Sequence, residues 1–442
     1  MRRRLLIALG ASVILVAAGL VVPASAHTGV LGEHVIRHLR HLEAAAGPGG
    51  REPGSPGFAK SQDYVRARLT AAGYTVREQQ FTFTYTETLA ADWTGPDGVR
   101  VDAMVINYTV STPPGGIRAK IVALPPAPAV GCAPADYPST VAGKIVVVVR
   151  GGCSFTQKQA TAGAAGAVAV LIYNNEPGLL YGTLLGPGQG VVPTGALTAE
   201  QGAKLAELSA GGDYEITLNL RQLVEQRQTS NLFVDTPGPA DRVLVVGAHL
   251  DSWPGAPGIN DNGSGAAAVL ELALIAKRMN LPTRLRFAWW SAEEWGQIGS
   301  ESYLKSLPQP ELAAIRGYVD LSKLGSPNYI RGVLDGAPDI ARALELGFDV
   351  QRKNHKRVDL AGKAHADWVP FHDRGIAVGG LFSGSELLKT PEEAAMFGGT
   401  AGQPYDPCQH KRCDTVDSLD HPLIGQNTTA ALVAMIELAR RP

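Results

Sequence analysis

The spacing of apolar residues changes along this chain from a helical period to a strand-like one. Near the start, apolar residues recur at intervals of one, three and three, at Val35, Ile36, Leu39 and Leu42. This spacing is typical of one face of an amphipathic helix. A second helix is predicted over residues 58–72, because Gly73 suits the position that follows a helix. Aromatic residues then alternate with threonine, as in a half-buried strand, at Phe81, Phe83 and Tyr85.

The later part of the chain alternates predicted strands with predicted helices. It follows a region rich in glycine and proline, about residues 95–222, which carries short β-branched runs. The predicted strands cover residues 144–149, 167–173, 243–248 and 284–290. The predicted helices cover residues 160–166 and 266–279, and another begins near residue 300. Such alternation is typical of a mainly parallel sheet with helices on both faces, so the predicted fold class is α/β.

The amino-acid composition excludes some classes of protein. The chain has 442 residues, enough for two or three domains, and 45% of them are hydrophobic, which excludes a disordered chain. Forty basic side chains stand against forty-one acidic ones, giving a formal net charge of −1. Because nucleic-acid binding normally needs a marked basic excess, we expect no nucleic-acid partner.

The first 26 residues have the three parts of a secretory signal peptide. Three arginines at residues 2–4 precede an apolar run over residues 5–22. Ala24 and Ala26 then flank Ser25, which fits the rule for signal-peptide cleavage. We therefore expect cleavage after Ala26, secretion, and no membrane partner for the mature chain. A retained membrane anchor is the alternative, because a run of this length approaches that of a spanning helix.

Four cysteines suit an exported protein, in which disulfides can form. Three pairings are possible, and the short intervals favour Cys132 with Cys153 and Cys408 with Cys413. The second pair has C-x4-C spacing, so metal binding is its alternative role.

Acidic and imidazole side chains closely follow the predicted strands over residues 243–248 and 284–290. They are His249, Asp251, Asp261, Glu293 and Glu294. Because the carboxyl ends of parallel strands meet in one crevice, we expect these side chains to converge. Histidine with aspartate and glutamate forms typical zinc sites. The sequence therefore predicts a zinc centre at this edge of the sheet.

The order of these residues indicates separate roles. Asp261 could bridge two zinc ions about 4 Å apart. One carboxylate of the Glu293–Glu294 pair can bind metal while its neighbour acts as general base on a metal-bound water. Asp251 could orient the imidazole of His249. Each motif alone has an ordinary structural explanation, such as a turn or a helix N-terminus, and only the combination indicates chemistry.

Five stretches resemble metallopeptidase family 28, the di-zinc aminopeptidases. They lie in family order within residues 230–442: VVGAHLDSWPGAPGINDNGSGAAAVLE, RFAWWSAEEWGQIGSESYL, KLGSPNY, ADWVPFHDRGIAVGGLFSG and YDPCQHKRCDTVDSLD. The stretch VAGKIVVVVRGGCSFTQKQATAGAAGAVAVLIYNN resembles a protease-associated domain, a frequent insertion in this family. The resemblance implies a three-layer α/β/α zinc-peptidase domain of phosphorylase/hydrolase type, with a mainly parallel mixed sheet and an inserted β-rich domain.

After the predicted signal peptide over residues 1–26, the resemblance divides the chain into three parts. They are an N-terminal part of the peptidase domain over residues 27–94, the protease-associated domain over 95–224 and the catalytic domain over 225–442.

The resemblance assigns roles to single residues. The positions that match zinc ligands are His249, Asp261 as the bridge, Glu294 and His410. Glu293 matches the general base, and Asp251 matches the residue that orients His249. The pair Cys408–Cys413 flanks His410 and matches a disulfide that would fix the loop of this ligand.

The chain departs from the family pattern at two positions. Where the family has an Asp that completes the first zinc site, this chain has Ser322, followed by Lys323. Asp320 lies about 6.6 Å earlier along an extended strand, so it could replace that ligand only through a bulge or an insertion. The tyrosine that precedes the last ligand histidine in the actinobacterial leucine aminopeptidase is Gln409 here. We therefore expect one zinc to bind firmly and the first-site zinc weakly or not at all.

The resulting hypothesis is a secreted zinc aminopeptidase that acts on peptides with free N-termini. Zinc, one ion or two, would polarise the scissile carbonyl, and Glu293 would move protons between the water and the leaving amine. The loop over residues 379–384 is expected to border a pocket for an apolar N-terminal side chain. Two alternatives are a catalytically inactive binding protein with this fold and a mono-zinc acyltransferase similar to glutaminyl cyclase.

Overall fold

The computed structural model describes residues 24–126, 130–176, 178–359 and 366–441. Residues 1–23, which hold most of the predicted signal peptide, lie outside the described residues. The chain divides into two compact units, a first unit of Met1–Phe83 with Arg227–Pro442 and a second unit of Thr84–Gln226. Among the described helices, none is long and apolar enough to cross a membrane.

The described strands are β1 (Arg77–Thr94), β2 (Arg100–Asp102), β3 (Met104–Val105), β4 (Ile117–Ala123), β5 (Ile145–Val149), β6 (Ala169–Tyr173), β7 (Thr194–Leu197), β8 (Glu215–Asp235), β9 (Val243–His249), β10 (Arg284–Trp290), β11 (Ile315–Ser322), β12 (Gly332–Leu334), β13 (Lys356–Val358) and β14 (Val378–Phe382). The described α-helices are α1 (Ala24–Ala46), α2 (Pro56–Ala71), α3 (Phe155–Ala164), α4 (Ala199–Ser209), α5 (Gly265–Ala276), α6 (Ile298–Ser306), α7 (Gln309–Ala314), α8 (Pro338–Asp349), α9 (Trp368–His372), α10 (Pro391–Phe397) and α11 (His421–Arg440).

The sheet of the first unit is mainly parallel. Its strands follow the order β13-β12-β14-β11-β9-β10, and β10 pairs with the end of β8. β9 runs parallel to both of its neighbours, β10 and β11, and β11 runs parallel to β14. Antiparallel pairs occur at β12–β14 and β8–β10. Every residue of β9 is buried, because a parallel strand in this position is covered on both faces.

Helices cover both faces of this sheet, as the alternation of side chains along β9 demonstrates. Leu244 and Val246 pack into one core together with residues of α1, α2, α5, α8 and α11. Val243 and Val245 face the opposite way, into a second core that includes residues of α6 and α9. The first unit is therefore a three-layer α/β/α structure, and the predicted fold class is confirmed.

The first and last described helices of the chain pack against each other closely. A Cβ atom added to Gly32 of α1 would lie 3.1 Å from the Cα atom of Gly425 in α11. A side chain at either glycine would therefore force the two backbones apart. Two helices that are far apart in the sequence, α1 and α11, therefore pack together within the first unit.

The second unit has its own strands and its own cores. β4, β5, β6 and β7 are successive parallel neighbours, and β3 closes the edge antiparallel to β7. Two clusters of buried apolar residues lie within this unit, one including residues of α4 and one including Ala162 of α3. The predicted insertion over residues 95–224 falls inside this unit.

The predicted strands are confirmed, with small differences at their ends, and two predictions about other segments need correction. The helix predicted over residues 160–166 begins earlier, at Phe155, because the Ser154 hydroxyl accepts a hydrogen bond from the Gln157 N–H and caps it. Residues 379–382 belong to buried strand β14 and do not form a pocket loop. Their glycines allow close strand contact: a Cβ on Gly380 would lie 2.3 Å from the Asp320 carbonyl oxygen.

Candidate metal centre

Two neighbouring strands and the turns beyond them bring the predicted site residues together. His249 is the last residue of β9 and lies level with Trp290, the last residue of parallel strand β10. Glu293 and Glu294 therefore begin the turn beside His249. Asp261 lies in the irregular turn Ile259–Ser264, whose Asp261–Asn262 peptide bond is cis.

Imidazoles alternate with carboxylates across this centre. His249 Nε2 lies 3.4 Å from Asp261 Oδ1, and the other oxygen, Asp261 Oδ2, lies 3.3 Å from His410 Nε2. His410 Nε2 is also 3.1 Å from Glu294 Oε2. Potential ligand atoms form two groups, each within 4.8 Å: His249 with Glu293 and Glu294, and Asp261 with Glu294 and His410. The first four predicted ligands thus converge.

The donor atoms fit a zinc ion. Nitrogen from histidine and oxygen from carboxylate are preferred zinc ligands. His249 Nε2 and Glu294 Oε1 are buried and make no hydrogen bond. Because buried polar atoms are normally satisfied, such orphaned atoms fit side chains that would hold a cation.

Asp251 organises the backbone around these ligands. The N–H groups of Glu293 and Glu294 donate hydrogen bonds to its two carboxylate oxygens, each at 3.3 Å. The Nδ1 atom of His249 lies 3.2 Å from the Asp251 carbonyl oxygen and 3.7 Å from its carboxylate. Asp251 therefore touches the imidazole and both glutamate residues at once.

Glu293 has the environment of a proton acceptor. Its Oε1 atom accepts a hydrogen bond from Gln297 Nε2 at 3.0 Å, and its Oε2 atom lies 3.6 Å from His249 Nε2. Burial raises the pKa of Glu293 from 4.5 to about 7, although the neighbouring His249 opposes the shift. A carboxylate with a pKa near neutrality can both take and return a proton under ordinary conditions.

Lys323 follows Ser322, the residue at the position where the family pattern has an Asp ligand. Lys323 Nζ lies 2.9 Å from Asp261 Oδ1 and 3.4 Å from Ser322 Oγ, and its side chain is only 11% exposed. Burial favours the neutral amine, but Asp261 and the two glutamates outweigh it and raise the pKa of Lys323 above its ordinary value. The side chain is therefore an ammonium ion. Gln409 Nε2 donates to the other oxygen of Asp261 at 2.8 Å.

Asp320 lies outside both groups of ligand atoms formed by the described residues. In β11 it is level with Gly247, two residues before His249 in β9. The bulge in β11 lies between Ile315 and Gly317, so it does not carry Asp320 towards the centre. Asp320 Oδ1 instead accepts a hydrogen bond from the Tyr318 hydroxyl at 3.0 Å, and burial raises the pKa of Asp320 to about 6. The predicted substitute ligand is not brought to the centre.

Arg51 supports the site from a distant part of the sequence. Its fully buried guanidinium donates to the carbonyl oxygens of Leu250, Pro257 and Gly258. All three belong to the segment between His249 and Asp261. Burial lowers the pKa of Arg51 to about 10, so the side chain keeps its charge. A lone arginine in a glycine-rich loop gave no sequence signal for this role.

Aromatic rings cover one side of His410. The indole of Trp253 stacks on the His410 imidazole with ring centroids 4.7 Å apart, and it also stacks on Trp295 at 6.3 Å. Trp253 is 41% exposed, and no motif in the sequence indicates its contact with His410. Cys408 and Cys413 form a disulfide on either side of this histidine, as predicted, and Cys132 pairs with Cys153.

Comparisons with known proteins agree with this arrangement. The family model described as peptidase family M28 matches residues 231–435, and the PA domain model matches residues 117–205. Leucine aminopeptidase 2 of Trichophyton rubrum is 37% identical over 401 residues, covering 88% of this chain and 79% of that protein.

Solved structures show the same fold. The aminopeptidase from Aneurinibacillus sp. strain AM-1 matches with a TM-score of 0.75 at 24% identity, covering 95% of this chain and 97% of that one. A zinc aminopeptidase from Bacillus subtilis matches with a TM-score of 0.67 at 23% identity, covering 93% and 95% respectively.

Proposed function

The chain belongs to peptidase family M28, and from this premise we propose that it is a zinc-dependent aminopeptidase that removes N-terminal residues, preferably apolar ones, from peptides. The observation that carries the proposal is the position of Glu293. This buried carboxylate lies within 3.6 Å of His249 and beside the ligand atoms of Glu294. A peptidase needs such a proton acceptor next to its metal.

Asp261, Glu294 and His410 are the residues that would hold zinc, with His249 facing the opposite oxygen of Asp261. Three protein ligands with an open position are the usual arrangement of catalytic zinc. A zinc ion held there would polarise the scissile carbonyl and increase the acidity of a water molecule.

The protein's own side chains would then carry the protons. Glu293 accepts the proton of the attacking water at Oε2 and returns it to the nitrogen of the leaving amine. Gln297 holds the other oxygen of Glu293, which fixes the direction of Oε2. Asp251 keeps the backbone of both glutamates in register through its two hydrogen bonds.

The remaining expectations belong to the same proposal. The protein would be secreted after cleavage behind Ala26, and sequencing the N-terminus of the secreted chain tests this. Its catalytic domain would consist of residues 27–94 and 225–442, with the protease-associated domain over residues 95–224 between them. Peptides with free N-termini would be its substrates.

The substitution Glu293→Gln tests the proposed function. It keeps the size of the side chain and its hydrogen bonding but removes the base, so kcat towards leucyl-p-nitroanilide should fall by about 10²- to 10⁴-fold. Zinc content should stay unchanged. Glu311→Gln, at an exposed position of α7, is the matched control and should leave kcat unaltered.

Two outcomes would contradict the proposal. If Glu293→Gln kept most of its activity while holding zinc, another group would be the base. If the zinc-loaded natural chain cleaved no aminoacyl substrate, the inactive binding protein would be the better interpretation.

A further inference from the structure

The carboxylate of Asp261 already has a cation on one of its two oxygens. Lys323 Nζ lies 2.9 Å from Asp261 Oδ1, the same oxygen that lies 3.4 Å from His249 Nε2. The other oxygen, Oδ2, faces His410 and accepts a hydrogen bond from Gln409. The two sides of this carboxylate are therefore unlike: the Lys323 ammonium lies beside His249 on one side, and no cationic side chain accompanies His410 and Gln409 in these contacts on the other.

The backbone holds Lys323 in this position. The residue directly follows β11 and has a left-handed φ of 53°, a backbone conformation that residues other than glycine rarely adopt. Its N–H donates to Asn262 Oδ1 at 3.1 Å, and its carbonyl oxygen accepts from the Ser383 N–H at 3.1 Å. Such a conformation persists only where the surroundings enforce it. The backbone of Lys323 is therefore fixed by its hydrogen bonds, and this directs the side chain towards Asp261.

Charge explains what the ammonium does. The ammonium of Lys323 and the carboxylate of Asp261 form an ion pair in which both side chains are almost fully buried. A divalent ion bound between His249 and Asp261 Oδ1 would have to lie next to a buried like charge. Ser322 supplies only a hydroxyl at the neighbouring position, which is a poor replacement for an anionic ligand.

We propose that Lys323 is an internal cation that takes the place of a metal ion on the His249 side of Asp261, so that the centre holds a single zinc at Asp261, Glu294 and His410. Lys323 is a positioning residue: it neutralises Asp261 and fixes its orientation towards the zinc side. The inference rests on the proposed function for the identity of the metal. Independently of that function, Lys323 limits the number of bound metal ions to one.

Metal stoichiometry tests the inference without any activity assay. The chain should retain one zinc after dialysis, as counted by plasma mass spectrometry, and calorimetric titration of the metal-free chain should show one tight site. In the double variant Ser322→Asp with Lys323→Met, the ammonium is replaced by an added carboxylate. That variant should bind two zinc ions. Lys411→Met removes an exposed lysine next to His410 and should still bind one.

Cobalt gives a spectroscopic readout of the same difference. The natural chain loaded with Co²⁺ should give the paramagnetic resonance signal of an isolated ion, and the double variant should give the weakened signal of a coupled pair. Lys323→Arg keeps the charge, so it should keep one metal ion and most of the kcat. Lys323→Met alone should lower kcat at least tenfold, because Asp261 loses the contact that fixes its orientation.

Clear results would overturn the inference. Two tight zinc ions in the natural chain would do so even if every variant misfolded. One zinc in a folded double variant, judged by an unchanged circular dichroism spectrum, would show that Lys323 does not set the number. These outcomes are independent of turnover, so they differ from a failure of the proposed function, in which one zinc binds but no peptide is cleaved.

Discussion

Among single residues, Glu293 is the one whose surroundings lead most directly to a measurable pH effect. Its pKa is raised from 4.5 to about 7 by burial, while His249 and Lys323 pull it down. A general base works only when deprotonated, so activity must fall as pH drops through this pKa. We expect kcat/KM to decline on the acidic side with an apparent pKa of about 7.

A pH series from about pH 4 to about pH 9 measures this limb. Gln297→Leu is the informative variant, because it removes the hydrogen bond that favours the charged form of Glu293. The limb should then move to higher pH. A limb that does not respond to this substitution would mean that a different group titrates.

Asp251 supports a second prediction about one residue. Asp251→Asn replaces one of the two carboxylate oxygens by an NH₂ group. One of the N–H groups of Glu293 and Glu294 then loses its acceptor and faces another donor. Zinc affinity should fall by about 10- to 100-fold, as when other groups that support metal ligands are changed. Competition with a fluorescent chelator measures this. Asp63→Asn, at an exposed position of α2, is the control. Equal zinc affinities in the two variants would contradict the role of Asp251.

The sequence predicted the groups that lie at strand ends, and Asp251 beside them, but not Arg51 or the ion pair of Lys323. His249, Glu293 and Glu294 could be anticipated because parallel strands β9 and β10 end at the same edge. Arg51 could not, because its partners are backbone carbonyl oxygens about 200 positions away, and a backbone atom leaves no mark in a sequence. The ion pair of Lys323 was missed for a related reason: it depends on a left-handed turn that no motif specifies.

At the scale of whole elements, the loop that carries His410 is held by a disulfide rather than by regular structure. Removing the Cys408–Cys413 bond by two serine substitutions should destabilise the chain by about 2 kcal/mol and weaken zinc binding, because the ligand loses its fixed position. Unfolding in urea and zinc titration measure the two effects.

The second disulfide provides a matched control. Replacing Cys132 and Cys153 by serine opens a longer loop and should cost about 3 kcal/mol, but within the second unit, which holds none of the proposed ligands. Zinc affinity should not change. If both double variants weakened zinc equally, the effect would come from general instability and not from the His410 loop.

Elements were predictable where one physical signal dominates. Residues 243–248 form a continuous apolar run, and residues 287–290 form a shorter one after Arg284 and Arg286. The buried central position of these strands favours such runs. The start of α3 was missed because a single serine cap, Ser154, outweighs the composition of the residues that follow. β14 was missed because two adjacent glycines suggest a loop, whereas here they allow close contact with β11.

At the scale of the whole molecule, the two units predict that the metal centre is independent of the insertion. All the proposed ligands belong to the first unit. The hydrogen bond from Gln226 Nε2 to Thr84 Oγ1, at 2.8 Å, shows that the two ends of the second unit are adjacent. A variant in which a short glycine-rich linker replaces residues 84–226 should therefore fold, bind zinc and cleave a small aminoacyl substrate.

Circular dichroism, zinc content and cleavage of leucyl-p-nitroanilide measure this variant. The same variant with Glu293→Gln is the control for contaminating activity. A truncated chain that folds but binds no zinc would show that the second unit contributes to the centre.

The contact between α1 and α11 at Gly32 and Gly425 also sets the order in which the molecule can be assembled during synthesis. Domains generally fold as they leave the ribosome, N-terminal parts first. The second unit is continuous in sequence and can fold early, but α1 must wait for α11, which comes much later in the sequence. The first unit of a nascent chain therefore stays incomplete until α11 has been made, although most of its sheet strands precede that helix.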